Sequence, residues 1–297
     1  MTFPSPSNSP VVIGGLGGSA TRVYARLLRH AGFHIGADLN DACDCAWATL
    51  LLKRRYELLE DRELAAVAMG LLRRKLSTGG RMTRAERGLL WRTASEVSRH
   101  GHGYRGEGKG LWPWRAAARL ALARPPRAGT HRGWGFKEPN THVFLEQLAS
   151  NIEDLRFIYV ARHGLDMAFS SNIAQLHAWG PLYGVEPPAA KDAIPSAQLD
   201  YWIAATRRAL ELGTELLGDR FLLLRYDDLF PDPRPQLELL AGFLGVEASC
   251  FDAPGPREWT RPSSSVGRHL DHDLSMFSAS QLASVQALGF RSPAPGS

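Results

Sequence analysis

The chain is poor in cysteine and has no long apolar run. Its 297 residues hold three cysteines, Cys43, Cys45 and Cys250. Three thiols cannot make a paired disulfide framework. Cys43-Asp44-Cys45 puts one residue between thiols, where common zinc and redox motifs put two. No neighbouring His–Cys cluster completes a tetrahedron. We therefore expect free thiols, a reducing cytoplasmic setting and no metal. No apolar stretch reaches the ~18 residues of a spanning helix, so no integral membrane segment is expected. Residues 1–9 lack the basic start and apolar core of a secretory signal. They read as a flexible tail, as do residues 291–297. The Gly-Lys-Ser/Thr of a Walker A loop is missing. So are helix-turn-helix and zinc patterns, and aromatics interleaved with basic residues, which argues against a nucleic-acid partner.

What is present is ordinary globular composition with uneven charge. Hydrophobic residues make up 44% and charged residues 22%, enough apolar material for a full core. The net charge is +5. Residues 50–135 hold 19 Lys/Arg against 7 Asp/Glu, a local +12; the remainder carries −7. Such a segment could attract an anionic cofactor, an acidic acceptor or a membrane surface, and equally fits a solvated helical face.

Apolar spacing then orders the chain. Residues 11–36 read as strand, Gly-rich loop and helix (Thr21 to Ala31). Helical spacing covers 46–60, 62–76 and 112–123, and Pro125-Pro126 stops the last of these. Thr83-Arg-Ala-Glu86 opens a helix to Arg99 with a capping-box pattern. Gly101 to Gly110 reads as a mobile Gly-rich run. Strand Trp134–Lys137, helix Thr141–Ser150, strand Phe157–Ala161 and helix Leu165–His177 follow. After a Gly/Pro loop (180–195) come helix Gln198–Leu217, strand Phe221–Arg225 and helix Arg234–Leu244. Strands alternating with helices predict an α/β fold, a parallel sheet with helices on both faces. We expect one domain over 1–297, with residues 45–130 as a helical insertion over the ligand end of the sheet.

Two segments carry chemistry. In Pro10-Val-Val-Ile-Gly-Gly-Leu-Gly-Gly-Ser-Ala-Thr-Arg22, glycines let backbone approach an anion, and the following helix offers free N–H groups. Gly17, Gly18, Ser19, Ala20, Thr21 and Arg22 are the candidate contacts. A tight strand-to-helix turn would also use glycine. In Leu155-Arg-Phe-Ile-Tyr-Val-Ala-Arg-His-Gly-Leu-Asp-Met-Ala-Phe-Ser170, Arg162 ends a strand and Ser170 follows eight residues later. A guanidinium fork and a hydroxyl can then meet on a phosphate. An arginine after a strand is also often a plain solvated charge.

Together these segments resemble the sulfotransferases that use 3′-phosphoadenosine 5′-phosphosulfate (PAPS), which have a P-loop-like fold. The resemblance implies that Gly14–Arg22 holds the 5′-phosphosulfate, and that Arg162 and Ser170, with Asp166 between them, serve the 3′-phosphate. Trp134-Gly-Phe-Lys-Glu-Pro139 resembles the family's Lys-x-Pro strand. Leu222-Leu-Leu-Arg-Tyr-Asp-Asp-Leu229 resembles its late strand. Ser263-Ser-Ser-Val-Gly-Arg268 resembles the loop that closes over the nucleotide, which adds Gly267 and Arg268. The chain departs from the family at Gly18, where most relatives carry Lys or Arg, and at His163-Gly164, where they often read Asp-Pro. The missing cation is expected at Lys137 or Arg22.

The resemblance implies transfer of a sulfuryl group from PAPS, leaving the desulfated product PAP, to a hydroxyl or amine of a small-molecule acceptor such as a sugar, lipid or secondary metabolite. The composition suggests a bacterial source. Lys137 is the expected charge stabiliser, though a lysine before Glu-Pro also suits a structural ion pair. Asp38, Asp41 and Glu138 are alternative general bases. Trp179, Tyr226 and the 263–268 loop are possible adenine walls. The rivals are a P-loop nucleotide-dependent kinase and a non-catalytic anion- or nucleic-acid-binding protein. A homo-oligomer remains open.

Overall fold

Val11, Val12 and Ile13 are β-branched and fully buried, which suits a strand covered on both faces. They form the middle of a five-stranded sheet in the computed structural model, which describes residues 10–53, 56–102, 108–124, 126 and 130–291. The strands are Val11–Gly14 (β1), Phe33–His34 (β2), Gly133–Lys137 (β3), Arg156–Ala161 (β4) and Phe221–Arg225 (β5). All pairings are parallel, in the order β2-β3-β1-β4-β5. Val12 lies beside Phe136 and Phe157; Ile13 lies beside Lys137 and Ile158. Successive residues point to opposite faces. Val12, Phe136, Phe157 and Tyr159 enter one core, while Val11, Ile13, Ile158 and Val160 enter the other. The fold is the α/β parallel sheet that the alternation implied.

Helices cover both faces. Thr21–His30 (α1) carries Tyr24, Leu27 and Leu28 into the second core. Between β2 and β3 lie Ala46–Leu52 (α2), Glu57–Glu60 (α3), Arg62–Leu76 (α4), Arg84–His100 (α5) and Trp112–Leu122 (α6). Leu145–Asn151 (α7), Gly164–Ala168 (α8), Ala174–Trp179 (α9) and Ile194–Leu217 (α10) follow, then Arg234–Leu244 (α11), Pro254–Trp259 (α12) and Ala279–Ala287 (α13). The chain leaves β1 for strands on one side and later builds β4 and β5 on the other. The crevice above β1 is thus the topological switch point, where open α/β sheets bind ligands.

Several elements differ from expectation. The helix read over Leu165–His177 is two short helices, α8 and α9. Ser170, Ser171 and Asn172 part them, and the Ser170 hydroxyl accepts the Asn172 N–H at 3.2 Å, an alternative to the helical bond. The 141–150 helix begins as a 3-10 turn, Thr141–Phe144. The 46–60 helix is split into α2 and α3. α10 starts at Ile194, with Pro195 in its first turn, a position proline tolerates. β2, α12 and α13 were not anticipated; β2 has only two residues. The two segments expected as tails, apart from Arg291, and residues 103–107 of the Gly-rich run lie outside the described residues.

β3 passes unusually close to β1. A Cβ built on Gly135 would overlap the Val11 carbonyl oxygen. Gly135→Ala must therefore push two central strands apart. It is expected to cost at least about 3 kcal/mol, the upper end for overpacking. Urea midpoints measure it, and an unchanged midpoint would refute the close approach.

Candidate active site

The β1–α1 loop is built for close backbone approach. Gly15 has φ +151°, and a Cβ there would overlap the Val160 carbonyl oxygen of β4. The Ser19 N–H closes back on the Leu16 carbonyl at 3.0 Å. Ala20, at φ 65°, precedes α1 with no side-chain cap, and no acidic residue sits in the first turn. The helix's first N–H groups and positive dipole end are thus left to a ligand. Ser19 and Thr21 are buried, and the Ser19 hydroxyl has no partner. A buried hydroxyl without a bond is costly unless something fills the place. Gly18 and Arg22 are exposed. The Gly17 N–H donates to Gln175 Oε1 at 2.7 Å, a contact that sequence reading missed.

Arg162 is buried at the tip of β4. Its Nη2 donates to the Ser265 hydroxyl at 3.0 Å and to the Ser265 carbonyl. Its Nη1 reaches the Gly18 carbonyl at 3.5 Å, so the guanidinium stands beside the Gly-rich loop. Tyr226 lies under it, ring centroid 5.8 Å away, and the Tyr226 hydroxyl accepts the Ser263 N–H at 3.2 Å. Ser170 and Gly17 line one cleft with Gln175 and Trp202. Arg268 Nη1 donates to the Phe169 carbonyl at 3.3 Å. The 263–268 loop therefore sits on Arg162. Trp179, by contrast, is buried in the core against Tyr56 and Phe144.

Asp166 holds this assembly. Its carboxylate accepts the Gly267 N–H at 2.8 Å, the His269 N–H at 3.1 Å and His269 Nδ1 at 2.7 Å, and faces Arg162 at 3.5 Å. Burial alone would raise its pKa. The hydrogen bonds from His269 and Gly267 outweigh burial and hold it at about 2. His269 stacks on His163, centroids 4.4 Å apart, and the His163 N–H donates to Asp227 at 2.7 Å.

The β3 tip supplies the remaining candidates. Lys137 is buried; its ammonium pairs with Asp44 and donates to the Ala42 carbonyl at 3.0 Å. It faces the β2 exit, the reading left open as a structural ion pair. Glu138 is buried beside it and accepts the Thr49 hydroxyl at 2.9 Å, while its Oε1 has no partner. Burial raises the Glu138 pKa to about 7, partly offset by the Lys53 ammonium. Asn140 donates its N–H to the Gly15 carbonyl at 2.7 Å, which ties the β3 exit to the loop. Asp38 pairs with Arg119 at 2.5 Å, and Asp41 is exposed in the turn. Sequence reading missed Thr49, Asp44 and His269, and named the 263–268 loop without singling out Ser265. Only the acid–base types near the β2 exit hinted at Asp44.

The family model described as "Sulfotransferase family" matches residues 10–250. The chain belongs to this family. It is accordingly a transferase. Similar solved structures include the sulfotransferase domain from the olefin synthase of Synechococcus PCC 7002, at 16% identity and TM-score 0.47, covering 99% of this chain and 100% of that one. The sulfotransferase domain from the curacin biosynthetic pathway is 17% identical, with TM-score 0.45 and coverage of 96% and 99%. Sulfotransferase STF1 from Mycobacterium tuberculosis H37Rv is 16% identical, with TM-score 0.40 and coverage of 85% and 70%. No curated protein matches the sequence. No described helix is long and apolar enough to cross a membrane, and no described His/Cys/Asp/Glu group could hold a metal ion.

The Asp166 pKa has a consequence for stability. A carboxylate depressed in the folded state stabilises fully above its unfolded pKa and loses this as pH falls through the folded value. The Asp166 contribution is expected to be complete above about pH 4 and to fade towards about pH 2. Asp166→Asn should flatten that acid limb in urea unfolding between these pH values. A wild-type limb retained in the variant would place the titration elsewhere.

Proposed function

We propose that this protein transfers a sulfuryl group from PAPS to a hydroxyl or amine of a small-molecule acceptor. The observation that carries this reading is the unpartnered, buried Ser19 hydroxyl at an uncapped helix start, with the Arg162 guanidinium 3.5 Å from the Gly18 carbonyl of the same loop. Hydroxyl, amides and guanidinium form a donor set for phosphate oxygens.

The N–H groups of Gly17, Gly18, Ala20 and Thr21 and the two hydroxyls would hold the 5′-phosphate, since the Ser19 N–H closes on Leu16. Arg162, Ser170 and Arg268 would hold the 3′-phosphate, while the Gly267 N–H stays with Asp166 and fixes the loop that carries Arg268. PAPS, when bound, supplies the sulfuryl group and leaves as PAP. The protein's part is orientation and charge stabilisation, by analogy with phosphoryl transfer. Gln175 must release the Gly17 N–H before that amide can serve a ligand.

Among the three candidate bases, Glu138 has the best-matched chemistry. Its pKa near 7 suits a group that must take a proton at neutral pH. Asp38 is committed to Arg119. Glu138→Gln keeps the Thr49 bond and removes the base. It is expected to lower turnover by at least about 100-fold, within the usual range for a general base, and to leave PAP affinity unchanged. Wild-type turnover should fall on the acid side of about pH 7, because protonated Glu138 cannot accept. A pH profile flat from 6 to 8, roughly one unit either side, would remove Glu138 from the role.

The cation assignment divides in the same way. Lys137 is held by Asp44, whose carboxylate is partly exposed, so Lys137→Met should destabilise by about 1–3 kcal/mol, the cost of leaving a hydrogen-bonded group short of a partner. Arg22, exposed in the first turn of α1, is the solvent-facing cation beside the loop. Arg22→Ala should keep the fold and lose at least about 100-fold in turnover. The reverse pattern would return the role to Lys137.

Calorimetry tests the donor site. Wild type should bind PAP in preference to ATP and to DNA. Arg162→Ala should weaken PAP binding by roughly 2–4 kcal/mol, as for losing one member of a buried charged pair. Ser170→Ala should cost about 1 kcal/mol. Turnover should survive excess EDTA. Unchanged PAP affinity in a folded Arg162→Ala protein would sink the assignment.

A further inference from the structure

α6 is apolar on two faces. Pro113, Ala116, Ala117 and Leu120 pack inward. On the opposite face Leu111, Trp114, Ala118 and Leu122 follow helical spacing in solvent, a stripe of roughly 16 Å at the helical rise. Leu122 is 82% exposed and Leu111 67%. α5 packs against α6 and extends the stripe with Trp91. The Trp91 and Trp114 rings stack with centroids 6.1 Å apart, yet remain 40% and 38% exposed. A soluble surface rarely gathers two indoles and two leucines uncovered.

The exposed acidic or basic side chains of α5 and α6 other than histidine are all arginines. Residues 108–136 hold six Lys/Arg and no Asp or Glu. Arg115 and Arg119 flank the stripe on α6, and Arg84 and Arg92 are exposed on α5. The acids of α5, Glu86 and Glu96, are buried and half-buried. We propose that the α5–α6 face docks the protein on an anionic lipid bilayer surface. Indoles and leucines suit the headgroup–acyl boundary, and guanidiniums suit anionic headgroups. A second copy on the same face would set arginine against arginine. A neutral surface would leave the arginines unpaired.

The patch is tied to the acceptor end of the sheet. Arg119, beside the stripe, bonds Asp38 at the β2 exit. An acceptor carried at the bilayer surface would therefore meet the crevice above β1. That consequence rests on the proposed transfer reaction; the docking itself does not.

Flotation of the full chain with vesicles of equal parts phosphatidylglycerol and phosphatidylcholine tests the docking, with pure phosphatidylcholine vesicles as control. The protein is expected to float with the anionic vesicles only, and raised salt should release it. Trp114→Ser combined with Leu122→Ser should reduce the bound fraction at least tenfold, on the order expected for losing two interfacial anchors. Circular dichroism and PAP binding should stay unchanged, since both side chains are exposed and neither lies in the donor site. No flotation, or equal flotation of the double variant, overturns the proposal. So does a dimer by light scattering that Leu122→Glu dissolves while vesicles bind neither form, which would make the stripe a self-interface. Capture by an acidic soluble protein without vesicle binding overturns it as well.

Discussion

One buried carboxylate organises the ligand end of this molecule. Asp166 sits at the start of α8 and takes three hydrogen bonds from Gly267 and His269 while facing Arg162. A charge so far from water must be compensated locally. The partners come from a segment about a hundred residues later in the chain. The 263–269 loop is thereby fixed over β4, and Ser265 is brought to the Arg162 guanidinium. The position of Arg162, and through it of the Gly18 carbonyl, depends on that carboxylate staying ionised. In the proposed donor site Asp166 would therefore position Arg162 and the 263–269 loop rather than touch the ligand.

The sheet was legible because its longer strands read as short apolar runs, buried throughout in β1 and in all but the first residue of β4. Val11–Gly14, Arg156–Ala161 and Phe221–Arg225 stand out between helical periods, and Thr83-Arg-Ala-Glu86 marks a helix start by its capping chemistry. β2 was not legible, because two residues carry no period. The break between α8 and α9 was missed for a different reason. The apolar spacing of 165–177 is helical, but Ser170 satisfies the Asn172 amide with its side chain and ends the helix. Local polar chemistry prevailed over apolar periodicity there.

The candidate site divides along the same line. The Gly-rich loop and Arg162 could be read because their chemistry is local: a strand tip, glycines and a helix start. Residues whose meaning depends on distant partners could not be. Lys137 reads as a charge stabiliser or a structural ion pair until Asp44 from the β2 exit is seen against it. Asp38 reads as a base until Arg119 from α6 pairs with it. His269 carries no motif, yet it supplies two of the bonds to Asp166. Tyr226 and Trp179 were equal candidates by type. Only tertiary packing puts one beneath Arg162 and the other in the core.

The β2 exit connects these observations. The Cys45 N–H donates to the Lys137 carbonyl at 2.8 Å, and the Ala46 N–H donates to the Asp38 carbonyl at 2.8 Å. Lys137 holds Ala42 and Asp44, and Arg119 holds Asp38. The segment from 38 to 46 is thus fastened to β3 on one side and to α6 on the other. The bonds that fasten it also occupy the ammonium of Lys137 and the carboxylate of Asp38. Glu138 escapes because Thr49 takes only one of its oxygens and the other meets no partner. Burial then leaves that oxygen poised to hold or release a proton near neutrality. A fastened β2 exit and a titratable Glu138 are two outcomes of one arrangement, in which Lys137 and Asp38 are spent on holding the 38–46 segment and Glu138 keeps one oxygen unpartnered.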